Sequence, residues 1–173
     1  MKILGKVFVA ATLLATGAAL LVIPEFAAST PASQDMAGMQ HGNNPNEPTP
    51  AFHTEPPKDA LPPTMEPSIY SDNIGIFNAY AVAGRIKKVL YQEPCYCHCD
   101  RSQGHGSLLD CFVGRHGSSC DICMKEAFYS YEQTHKGKTP AQIREGIIRG
   151  DWQKVEMAKY AKAYLPPSNA SVK

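Results

Sequence analysis

The chain has 173 residues, enough for one ordinary domain, and its 17 Lys+Arg against 16 Asp+Glu leave a formal net charge of +1. That balance carries no electrostatic footprint for DNA or RNA, so nucleic-acid partners are set aside. No hydrolase, phosphate-binding or Cys-x-x-Cys-His haem-attachment motif occurs, and the six cysteines are left as the chemistry to explain.

Residues 1–29 read as an export segment. Lys2 and Lys6 precede an uncharged Ala/Leu/Val-rich run from Val7 to Ile23, and the small residues Ala27, Ala28 and Ser29 follow. Cleavage after Ser29 and retention as a signal anchor both fit, because the run lies at the short limit for crossing a bilayer. No lipobox cysteine follows it. The protein is therefore expected in the periplasm or at the outer face of the cytoplasmic membrane, where unprotected thiols tend to pair. Residues 30–67 are rich in Pro, Asn, Ser and Thr and poor in large apolar side chains, so the composition predicts a disordered tether. The folded part is predicted over 68–167, with a disordered tail over 168–173. A domain of this size has a modest core, for which cross-links or a metal matter.

The signals within 68–167 are helical, which makes the predicted fold class mainly α: about four helices around an irregular Cys/Gly-rich loop. After Ser71-Asp72-Asn73, a capping group, Phe77, Tyr80, Ala81, Ile86, Val89 and Leu90 follow three- and four-residue steps until Pro94, with Gly84 as the expected bend. A second helix is predicted from about Cys120 to Tyr131, with Cys123, Ala127 and Tyr131 on one face and Gly137 just past the end. The third starts most clearly, since Thr139-Pro140-Ala141-Gln142 combines an N-cap threonine, a proline at the first position and a glutamine placed for a capping box, and Gly150 closes it. Asp151 is the expected cap of a fourth helix carrying Trp152, Val155 and Ala158.

Between the first two helices, Cys95 to Ser119 is rich in Cys, Gly, His and Ser and lacks periodicity. In an extended segment, Cys95, Cys97 and Cys99 at alternate positions present three sulfurs on one face. Cys111 follows a Gly-rich stretch, and Cys120 and Cys123 lie three apart at a helix start, where the backbone amides favour thiolate. Thiolates select copper(I), zinc or iron–sulfur centres over hard cations; iron–sulfur ranks third because the spacing matches neither ferredoxin pattern. Met124 beside Cys123, and Met36, Met39 and His41 in the tether, tilt the choice from zinc toward copper. His98 is the strongest histidine candidate because it sits inside the motif; His105 and His116, in Gly-containing turns, are weaker. Asp110 and Glu126 read as hydrogen-bonding or capping residues. The competing reading of the six cysteines is three structural disulfides. Three cysteines within five residues count against it, since only Cys111, Cys120 and Cys123 remain as partners.

The run Pro94-Cys95-Tyr96-Cys97-His98-Cys99, then Ser107-Leu108-x-Asp110-Cys111-Phe112 and Cys120-x-x-Cys123-Met124-x-Glu126-Ala127, resembles the PCYCGC-motif family of bacterial exported proteins, often lipoproteins, over roughly Asn78 to Ile148. The resemblance implies heavy-metal or copper handling, with no settled reaction. The chain departs from the pattern in having His98 where the motif has glycine, and in lacking a lipobox.

These readings converge on an extracytoplasmic protein that binds a soft metal, copper(I) first and zinc as the alternative, to sequester or deliver it. The expected ligands are Cys95, Cys97, Cys99, Cys111, Cys120 and Cys123, with His98 and Met124 as further candidates. A membrane metalloprotein or transporter is the expected partner, with membrane association through the N-terminal segment. The alternatives are a thiol-disulfide oxidoreductase using Cys120 and Cys123, and an interaction module stapled by zinc or disulfides.

Overall fold

The computed structural model describes residues 47–165, and among them every regular element is a helix or a helical turn. The export segment, the first part of the tether with Met36, Met39 and His41, and the 168–173 tail lie outside the described residues. No helix among the described residues is long and apolar enough to cross a membrane.

Helix α1 (Ile74–Arg85) starts where the sequence places it, with the Asn73 side chain accepting the Ile76 N–H at 3.1 Å. The expected bend at Gly84 is instead a break at Ile86, whose backbone leaves the helix (φ −117°, ψ 30°) before a single turn, α2 (Lys87–Leu90), resumes. The break follows burial: Ile86 and Leu90 both turn into the core, while Gly84 stays exposed. Helix α5 (Asp121–His135) is the central spine, against which α1, the helix that follows at Pro140–Ile148 and the C-terminal turns pack.

Helix α6 (Pro140–Ile148) has the complete capping box, in which Thr139 and Gln142 each accept the other's backbone N–H. Gly150 ends it in the left-handed region at φ 83°, where glycine carries no Cβ penalty. The predicted fourth helix is broken into a 3-10 turn, Asp151–Lys154, and one turn of helix, α7 (Met157–Tyr160). The Asp151 carboxylate is taken by Arg149 at 2.9 Å and Lys154 at 3.2 Å instead of capping a backbone. Trp152 drops into a small cluster with Tyr129, Ile143 and Ile147, and Ala158 faces solvent.

The Pro-rich stretch divides. Residues 47–67 are packed along the helices without regular structure until a 3-10 turn at Pro67–Tyr70. The Met65 N–H donates to Phe112 O at 2.9 Å, Lys87 Nζ donates to Leu61 O and Pro62 O, His53 stacks on Tyr91 at 3.9 Å, and Phe52 lies under Arg144. Composition averaged over 30–67 hides this, because a few anchoring side chains among the prolines suffice to hold a segment that proline has already stiffened.

The core has one main cluster, with Tyr80, Leu90, Phe112 and Phe128 at its centre, and it takes in Cys95, Cys99, Cys111 and Cys123. One buried polar residue closes the fold. Asn78 on α1 donates to Tyr160 O (2.7 Å) and Ala163 O (2.8 Å) and accepts from the Leu165 N–H (2.8 Å), tying the C-terminal segment to α1. Asn78→Ala removes three bonds, of which the one to Tyr160 O is fully buried. At about 1 kcal/mol each, it is expected to lower stability by roughly 3 kcal/mol, read as a fall in the urea midpoint at unchanged slope.

Candidate metal centre

The helical run ends at Leu90, ahead of Pro94, and the motif that follows is a turn and not an extended strip. The His98 N–H donates to Cys95 O at 3.1 Å, and His98 itself occupies the left-handed region at φ 57°, φ being positive at no other non-glycine residue described. Helix α3 (Cys99–Gln103) begins immediately after it. Winding the motif into a turn, in place of the alternating projection expected of a strand, brings Cys95 Sγ and Cys97 Sγ to 3.3 Å.

Other elements supply the remaining donors. The short helix α4 (Asp110–Val113) carries Cys111, whose sulfur lies 3.4 Å from that of Cys99. The start of α4 is held by Asp110 Oδ2, which accepts the Gly106 N–H at 2.7 Å, and by the Leu108 and Leu109 N–H groups donating to Glu93 O and Leu90 O. Cys120 is the N-cap residue of α5 and Cys123 sits on its first turn. Cys123 Sγ stands 3.4 Å from Cys95 Sγ and 3.5 Å from Cys97 Sγ.

The register of motif against helix is fixed by Glu126, one turn beyond Cys123. Its carboxylate Oε1 accepts the Tyr96 N–H at 2.9 Å in a fully buried setting.

All six cysteines are free, so three disulfides do not describe this structure. Four donors drawn from Cys95, Cys97, Cys111 and Cys123 lie within 4.8 Å of one another, as do Cys97, His116, Cys120 and Cys123, and Cys97, Cys99, Cys111 and His116. Thiolate sulfurs about 2.3 Å from a tetrahedral ion stand about 3.8 Å apart, so these sulfurs need only small shifts to become ligands. The cysteine cluster can hold a metal ion.

Of the further candidates, His98 joins none of these groups. Its Nε2 faces Glu47 Oε2 at 3.5 Å, and Met124 is buried in the apolar core. The histidines that reach sulfur are the two ranked lower. His116 Nε2 lies 3.5 Å from Cys97 Sγ and His105 Nδ1 lies 3.4 Å from Cys111 Sγ, their rings edge to face at 5.3 Å. The neighbouring glycines, which in the sequence suggested plain turns, permit tight approach. A Cβ on Gly117 would stand 3.0 Å from both Cys111 O and the Phe112 ring, so glycine lets the turn bearing His116 lie on α4 without displacing either.

The thiols share their protons unevenly. Burial pushes the Cys95 thiol well up, helped by its hydrogen bonds to Cys111, Cys123 and Cys97. Hydrogen bonds from Cys123 and Cys95 pull Cys111 down to about 4, and those from Cys111, Cys120 and Cys123 pull Cys97 down. At Cys120 the hydrogen bond with Cys123 favours thiolate, but the bond to Cys97 and burial outweigh it and push the thiol up to about 11. Two carboxyls beside the cluster stay protonated. Burial raises Glu126 well above the usual range and pushes Glu93 up to about 9 against the partial offset of Arg144.

A small all-helical domain built around a buried cysteine cluster with histidines at its edge is thus the class of protein that fold and site define. The chain belongs to the family described as "Protein of unknown function with PCYCGC motif", which it matches over residues 28–169. No curated protein and no solved structure matches it.

The φ of 57° at the residue where the motif has glycine turns the family pattern into a backbone requirement. His98→Gly is expected to change stability by less than about 1 kcal/mol, whereas the β-branched His98→Val costs roughly 2 kcal/mol, measured by chemical denaturation of both variants. Glu93 supplies a pH test. Its folded carboxyl keeps a proton up to about 9 while the ordinary value is 4.5. Stability is therefore full below the lower value and declines as pH rises toward the upper one. Glu93→Gln is expected to flatten that decline in unfolding midpoints taken at the two ends of the window.

Proposed function

We propose that this protein binds copper(I) through its cysteine thiolates outside the cytoplasm, to sequester the ion or deliver it to a membrane metalloprotein or transporter. The observation that carries the reading is the convergence of six unpaired sulfurs and two imidazole nitrogens, a donor set that selects soft ions. The apolar surroundings support it, because a dry site protects a copper(I) thiolate from water and oxidant. Export rests on the Lys-led apolar segment at 1–29, and membrane association on the same segment.

Zinc is the second reading, supported by two groups of one histidine and three cysteines, Cys97, His116, Cys120 and Cys123 and Cys97, Cys99, Cys111 and His116, a familiar structural zinc set. The oxidoreductase reading has less support, since among the described residues no strand flanks the helix that carries Cys120 and Cys123, as a thioredoxin-like frame requires.

The reduced full chain, loaded anaerobically with copper(I) against a competing chelator, is expected to withdraw the ion with loss of titratable thiols. It should also gain thermal stability equivalent to about 2.7 kcal/mol when free ion is a hundredfold above Kd. Retention of all six titratable thiols after loading would overturn the proposal; displacement of bound copper by equimolar zinc would move it to zinc.

A further inference from the structure

The three four-donor groups are not three separate sites. Cys97 belongs to all of them, and Cys111, Cys123 and His116 belong to two each. An ion placed in one group therefore shares donors with an ion in the next. Sulfur allows this, because a thiolate keeps lone pairs after its first metal bond and can bridge two ions, whereas a histidine nitrogen offers one.

Charge points the same way. Cys95, Cys99, Cys111 and Cys123 are each at most 3 % exposed. A single monovalent ion held by the thiolates of one such group leaves most of their negative charge uncompensated in an apolar interior, and every further cation on the same sulfurs removes part of that cost.

Access is one-sided. Pro50 and Ala51 of the packed N-terminal segment line a small pocket with Cys95 and Cys99, and the Ala51 N–H donates to Asp100 Oδ2 at 3.2 Å, so that side is covered. Cys97, His116 and Cys120 are only half-buried, and Ser119 and Asp121 beside them are exposed.

We propose that the protein holds at least two copper(I) ions as one thiolate-bridged cluster with Cys97 as the central bridge, loaded through a solvent-side port formed by His116 and Cys120. This rests on the copper reading above and adds nuclearity and direction to it. Loading is ligand exchange without electron transfer: each thiol that becomes a ligand releases its proton to solvent, and the donor chelator keeps the electron pair of the bond it gives up.

The test uses the reduced full chain and copper(I) from a small chelator. Native mass spectrometry is expected to show two or more copper ions per chain, and X-ray absorption a copper–copper scattering path beside the sulfur shell. One ion with no such path would overturn the bridged cluster while leaving copper binding intact; no copper at all would overturn the binding reading together with this one. The doubly substituted His116→Gln, Cys120→Ser chain, checked by circular dichroism for unchanged helix content, is expected to bind one ion fewer and to load at least tenfold more slowly. Loading at the unmutated rate would overturn the port. Should that chain lose helix content, His116→Gln alone carries the kinetic arm, with a severalfold slowing expected and an unchanged rate overturning the port.

Discussion

The hydrogen bond from the Tyr96 N–H to the Glu126 carboxyl is the constraint on which the rest of the site depends. Cys95 and Cys97 flank Tyr96 in the chain, and Cys123 lies one helical turn before Glu126, so this bond sets the height of the motif against α5. A slip of one residue would move both motif sulfurs away from Cys123. The carboxyl suits the task because burial keeps it protonated. As a neutral group it fixes the backbone without adding negative charge beside thiolates, which an ionised glutamate would do at a cost. Its length matters as well, since an aspartate at the same position of α5 stops one methylene short.

The sulfurs occupy the core, and this changes how the domain relates to metal. A protonated cysteine packs as a small apolar group, so Cys95, Cys99 and Cys123 fill space beside Leu90, Phe112 and Phe128 with no ion bound. The frame has supports that owe nothing to sulfur: the Thr139–Gln142 capping box, the Asn73 cap and the three bonds of Asn78. Classical zinc fingers have few such supports and unfold without their ion. Here the helices have supports of their own, and between Cys95 and Cys120 the short helices α3 and α4, each at most five residues long, rest on the core side chains they carry and not on their own turns.

The helical frame was legible wherever local chemistry was strong. Asn73, the Thr139 capping box and Gly150 mark boundaries through groups that act within four residues, and the structure keeps all three. The break at Ile86 and the splitting of the fourth helix were not legible, because both are decided by what the side chain buries against. Ile86 joins the main core and Trp152 a separate cluster, which no local periodicity encodes. At the site, the six cysteines that the structure gathers could be read from the chain, but their mode of convergence could not. Alternation suggested a flat three-sulfur strip, and a left-handed residue at position 98 made a turn of it. The two histidines at sulfur approach through tertiary contacts of separate turns, so their sequence neighbours revealed only that the backbone there can bend sharply.

His98 shows what the departure from the motif glycine achieves. Histidine tolerates the left-handed region better than most residues, though less well than glycine, so the substitution carries some backbone cost. In return its ring reaches Glu47 at 3.5 Å, and the same carboxylate accepts Arg101 Nη1 at 2.6 Å. Both partners of Glu47 flank Cys99, so the first described residue of the N-terminal segment is fastened directly over the motif. Pro50 and Ala51 then lie against Cys95 and Cys99 because Glu47 anchors one end of the strap and His53, stacked on Tyr91, the other. The histidine ranked first among the three thus serves the cover of the site, and the glycine it replaces would leave that cover with one contact fewer.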